Sequence, residues 1–168
     1  MTSYSLIILP VLFGGLTYIL FLKKYPNIFD YPIDFGLIFR GKRVFGHNKT
    51  FRGTIYMPIF TLLFGNILNL TLYAGIDTWG YLLVGIFYIL FELPNSLIKR
   101  QLGIKPGKYG KYRSLQKLVD LSDSMIGCGF AYYLFFDFPT HTIVISVIIG
   151  IGLHFCTDLL MKKISLKN

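Results

Sequence analysis

Long charge-free stretches alternate with short, strongly basic ones along this chain, and that pattern sets the first expectations. Ser3–Leu22 and Thr54–Ile76 contain no charged residue. As helices, each is long enough to cross a hydrocarbon core about 30 Å thick. Trp79–Ile98 is a third such stretch, interrupted by Glu92 and Pro94, and Leu118–Phe138 a fourth, with Asp120 and Asp123 near its start. Thr140–Thr157 is the fifth and ends at Asp158. Backbone amides in lipid must be satisfied internally, so runs like these predict an all-α integral membrane fold. The expectation is about five transmembrane helices in one membrane-embedded domain over residues 1–168.

Composition agrees and excludes the main alternatives. The chain is 54% apolar and 15% charged, against about 25% charged in a soluble domain. A chain of this size leaves much of its surface exposed and could not hide that apolar content in water. A soluble globule, a disordered chain and a conventional basic nucleic-acid binder are therefore set aside. Cys128 and Cys156 both fall inside the apolar stretches and read as small buried residues rather than a disulfide or metal pair.

The charge distribution then orients the chain. Lys and Arg outnumber Asp and Glu by 17 to 8, and every cation falls in one of three segments. Segment 23–53 holds Lys23, Lys24, Arg40, Lys42, Arg43, Lys49 and Arg52; segment 99–117 holds Lys99, Arg100, Lys105, Lys108, Lys111, Arg113 and Lys117. The tail adds Lys162, Lys163 and Lys167. The other connections offer only Asp77 and Asp137. The positive-inside rule predicts an external N-terminus, a cytoplasmic C-terminus and both long loops in the cytoplasm. The first stretch does not read as a signal peptide, because its cations follow it.

Two loops this long in so small a protein point to function. The first contains Pro32-Ile-Asp34-Phe-Gly36 and then Gly46-His-Asn48-Lys49-Thr50-Phe-Arg52-Gly53. Lys49 and Arg52 are spaced to converge on one anion, although a basic loop resting on lipid headgroups fits equally well. The Lys49-Thr50 pair lacks the glycine spacing of a phosphate-binding P-loop.

Around the second loop, Glu92, Asn95, Ser96 and Lys99 recur at helical spacing and share one stripe. Pro94 predicts a kink or a break there. Asp120 and Asp123, three apart, project from one face. Beside so many cations the carboxylates suit a hard divalent ion with oxygen ligands. Capping of a helix N-terminus is the plainer alternative. His154 and Asp158, four apart, read first as a satisfied intramembrane pair.

These motifs resemble the CDP-archaeol synthase family. The resemblance rests on the first-loop motifs together with Gly41-Lys-Arg43, on Glu92-Leu-Pro-Asn-Ser-Leu-Ile-Lys-Arg-Gln-Leu-Gly-Ile-Lys-Pro-Gly107, and on Asp120-Leu-Ser-Asp123-Ser124. It spans essentially the whole chain and departs from the usual family pattern at Phe91-Glu92, Asn95 and Leu121. The resemblance implies a Mg²⁺-dependent membrane enzyme that transfers the cytidylyl group of CTP to a lipid phosphate, releasing pyrophosphate. Lys49, Arg52, Lys99, Asp120 and Asp123 are the expected catalytic residues, with Asn48, Thr50, Asn95, Ser96 and Arg100 as nucleotide contacts. Asp120, Asp123 and Glu92 are the expected Mg²⁺ ligands. CTP, a lipid phosphate and membrane lipids are the expected partners, with a homodimer permitted and no nucleic acid. The site is expected on the cytoplasmic face of the cell membrane. A small transporter or scaffold with a headgroup-binding face is the alternative function.

Overall fold

The computed structural model describes residues 2–75 and 77–163. The tail cations Lys162, Lys163 and Lys167 lie outside the residues whose side chains are described, as does Ile76 at the end of the second expected span. The elements in order are α1 (Thr2–Lys24), β1 (Ile38–Phe39), β2 (Lys42–Arg43), α2 (Phe51–Thr71), α3 (Trp79–Gln101), α4 (Arg113–Phe135) and α5 (Thr140–Lys163). Each helix packs on its chain neighbour, and α5 packs back on α1, so the five close into a ring.

Helix ends follow the local chemistry. Lys23 and Lys24 close α1 and complement its C-terminal dipole. The second helix stops at Thr71, short of the expected Ile76, because Tyr73 and Gly75 take left-handed backbone. Pro94 does not break α3, which runs unbroken to Gln101. The fourth helix starts at Arg113, earlier than the apolar pattern indicated, and stops where Phe136 turns extended.

Among the described residues, four helices are long and apolar enough to cross a membrane: Ser3–Lys24, Phe51–Thr71, Gly80–Gln101 and Thr140–Leu160. The expected fourth span, Leu118–Phe138, is not among them. Its helix carries Arg113, Lys117, Asp120 and Asp123 in the N-terminal half, which lowers its hydropathy. Its C-terminal half is nonetheless core: Cys128, Ala131 and Tyr132 pack with Tyr81 and Val84 of α3. Small residues bring these helices together, as a membrane interface requires. A Cβ at Gly127 would sit 2.5 Å from the Phe87 carbonyl oxygen.

The first loop is not featureless. Strands β1 and β2 form a two-stranded antiparallel hairpin, with Ile38 opposite Arg43 and Phe39 opposite Lys42. Arg40 and Gly41 turn it with φ of 50° and 74°, the two left-handed residues of a tight hairpin turn.

Candidate active site

Asp34 builds the first loop around itself. Its buried carboxylate accepts hydrogen bonds from the amides of Gly36, Phe45 and Gly46 and from the Arg43 guanidinium. Burial alone would raise its pKa, but Arg43 and the three amides outweigh that and hold it at about 2. The segment past Gly46 is then fixed by backbone bonds: Ile33 N–H donates to Lys49 O at 2.9 Å, and Phe51 N–H to Tyr31 O at 2.9 Å. Thr50, paired with Pro32, stands as the N-cap of α2 in extended conformation. Lys49 is thereby delivered to the ring interior, where its Nζ pairs with Glu92 of α3.

A second set of contacts joins α3 to α4. Lys99 Nζ lies 2.7 and 2.6 Å from the two oxygens of Asp120. Asn95 Nδ2 lies 2.7 Å from Asp120 Oδ1 and 2.8 Å from Asp123 Oδ2. Both carboxylates therefore converge on one point, held by residues one turn apart on the facing helix. The capping alternative falls here: the first turn of α4 carries no acidic residue, and Asp120 lies about two turns inside.

The ring encloses a cavity of about 700 Å³ lined by all five helices. Asn48, Lys49, Thr50, Glu92 and Asp120 form part of its polar end, with Lys117 and Asp158. Val11, Leu12, Leu16, Met57, Ile89 and Leu153 form its apolar wall. Asn95, Lys99 and Asp123 join this site through Asp120. One cavity thus presents cations and carboxylates at one end and hydrocarbon along the other.

Three expected residues are placed elsewhere. Arg52 does not converge with Lys49; it donates to the Pro26 carbonyl and pairs with Asp30 at 3.1 Å, strapping the loop outside the cavity. Ser96 is buried on α3 and does not line the cavity. Arg100 donates to the carbonyls of Phe45 and Ile104, tying the two loops together beside a separate, smaller cavity. Conversely, the motifs gave no sign of Tyr18, Tyr109, Lys117 or Thr157, which line the main cavity. Lys117 was visible only as one cation among many, and Tyr18 lies inside an unremarkable apolar stretch.

The residues fit a divalent ion in part. Asp120 and Asp123 supply converging oxygens, the donor type that Mg²⁺ takes while keeping water and phosphate in its remaining positions. Glu92 does not complete a three-carboxylate set, because it turns to Lys49. No three His, Cys, Asp or Glu cluster as metal ligands among the described residues.

Comparisons with known proteins show what the chain as a whole is similar to. A CDP-archaeol synthase of Thermofilum pendens is 29% identical over 140 residues, matching 82% of this chain and 65% of its own length. This chain therefore spans just under two thirds of that relative. A CDP-archaeol synthase of Methanococcus maripaludis is 27% identical over 150 residues, covering 82% of this chain and 81% of its own. The solved structure of an intramembrane enzyme for archaeal membrane lipids biosynthesis superposes with a TM-score of 0.68, covering 92% of both chains at 19% identity. That likeness establishes a shared fold. The family model described as CarS-like, CDP-archaeol synthase, matches residues 8–168, and the chain belongs to that family.

Proposed function

We propose that this protein transfers the cytidylyl group of CTP to a membrane lipid phosphate of the archaetidic- or phosphatidic-acid type. The observation that carries the reading is the two-ended cavity, in which Lys49, Glu92 and Asp120 share one enclosure with an apolar wall from α1, α2, α3 and α5. A soluble triphosphate and a lipid tail need those two environments within reach of one reacting centre.

In the reaction, an oxygen of the lipid phosphate attacks the α-phosphorus of CTP. The bond from that phosphorus to the bridging oxygen of the β-phosphate breaks, and pyrophosphate leaves with the electron pair. No general base is required, since a lipid phosphate is already ionised at neutral pH. The protein's work is positioning and charge neutralisation. Lys49 and Lys99, now paired with Glu92 and Asp120, are the cations that would neutralise phosphate charge. Asn95 fixes the two aspartates in register. Asp120 and Asp123 would hold Mg²⁺, which when bound neutralises phosphate charge and polarises the attacked phosphorus. Arg52 and Arg100 support the loops that carry these groups. The basic loops favour a site at the cytoplasmic face, where CTP is found.

The test is a purified protein in lipid nanodiscs supplied with CTP, Mg²⁺ and a panel of lipid phosphates. The expected result is pyrophosphate release that requires one of those lipids. CTP turnover that ignores the lipid, or no turnover with any of them, overturns the reading.

A further inference from the structure

The first loop carries an apolar surface that the site does not use. Tyr31, Phe35, Leu37, Ile38 and Phe39 are exposed, Phe35 by 80% and Ile38 by 69%. None of them belongs to a helix that would face lipid as a matter of course. An exposed cluster of this kind marks an interaction surface.

Three observations say what covers it. First, the loop is held at the level of the helix ends. Phe51 and Arg52, the first residues of α2, donate their amides to Tyr31 O at 2.9 Å and Phe29 O at 3.1 Å. Lys42 of the hairpin donates to the carbonyl of Gln101, the last residue of α3, at 2.7 Å. The chain between α1 and α2 is therefore tethered to the ends of α2 and α3. Second, cations accompany the apolar groups. Lys23 and Lys24 precede the loop, Arg40 sits in the hairpin turn with Lys42 just after it, and the Arg40 guanidinium lies 5.3 Å over the Phe39 ring. Third, the hairpin is a built unit with a tight turn, so its side chains are presented together.

We propose that this loop lies in the headgroup layer of an anionic leaflet, with the β1–β2 hairpin seated as an amphipathic wedge. Apolar side chains enter the headgroup–acyl boundary while the neighbouring cations meet lipid phosphates, the arrangement of an interfacial segment. A second copy of the chain is the poorer occupant, because its own net charge of +9 would be brought against the same cations. The seat borders the end of α3, where Ile98 and, just past the helix, Leu102 are also exposed, so it continues the lipid-facing surface.

Trp79 is the chain's one tryptophan, so a Phe39→Trp, Trp79→Phe protein carries a single reporter. It is reconstituted into phosphatidylglycerol vesicles with and without chains brominated near the headgroup. The expected result is blue-shifted emission, quenched roughly twofold or more by the brominated lipid and shielded from acrylamide, as shallow burial requires. Replacing phosphatidylglycerol by phosphatidylcholine should restore access to acrylamide. Full acrylamide quenching without bromolipid quenching overturns the proposal. So does equal burial in both lipids, which removes the anionic partner, or shielding that disappears as protein is diluted at constant lipid, which assigns the surface to a second copy. Ile38→Trp in the same background gives the same readout should Phe39→Trp fail to fold.

Discussion

Asp123 separates chemistry from architecture more sharply than any other side chain in the site. It shares the Asn95 amide with Asp120, and an amide in its place keeps shape and hydrogen-bonding capacity while removing charge. Asp123→Asn should lower turnover by roughly a thousandfold, the scale of lost electrostatic stabilisation, while circular dichroism and thermal unfolding stay near wild type. Asp34 carries the opposite signature, because it holds a loop and lines neither of the two cavities described above. Its folded pKa of about 2 lies below the ordinary 3.8, so folding favours the ionised form. The stability it contributes is complete above about pH 4 and is lost as the pH falls through about 2. The difference is on the order of 2 kcal/mol. Thermal unfolding of detergent-solubilised protein across that window should show the fall, and Asp34→Asn should flatten it. Motif spacing made Lys49, Lys99, Asp120 and Asp123 legible as candidates. It could not show that Arg52 turns outward, because helical spacing fixes which face a residue shares but not which acceptor captures its side chain. A carbonyl at Pro26 and a carboxylate at Asp30 captured this one.

Among the elements, α1 contributes wall rather than chemistry. Gly15 lines the cavity, and a Cβ there would meet only Met57 Cε at 3.9 Å. Gly15→Leu should therefore fold normally and fill the apolar end. The expected effect is a rise in KM for the lipid phosphate of roughly tenfold, the scale at which a few methylenes discriminate substrates. KM for CTP should hardly move. Equal rises in both would show that α1 shapes the polar end as well. Charge-free length revealed α1, α2 and α5 because lipid demands it. The fourth helix was harder to delimit: its polar first half faces the site rather than lipid, so an apolar pattern read its start late, at 118 instead of Arg113. The β1–β2 hairpin escaped notice because two-residue strands have no periodicity to read.

At the scale of the whole molecule, all five helices close around one cavity, and the cationic loops gather at its polar end. If charge orients the chain, single cysteines at residues 42 and 108, in a background lacking Cys128 and Cys156, should be shielded from an impermeant thiol reagent in intact cells. One at residue 77 should react. Labelling at 108 from outside would invert the topology and cut the site off from cytosolic CTP. Which bond forms is read directly from the fate of the phosphorus atoms of CTP. With wild-type protein, Mg²⁺ and the preferred lipid phosphate, label at the α-phosphorus should enter the lipid fraction, while label at the γ-phosphorus should appear only in pyrophosphate. Asp123→Asn should leave both labels in CTP. Label from the γ-phosphorus found in the lipid would mean phosphoryl transfer and would rule out cytidylyl transfer.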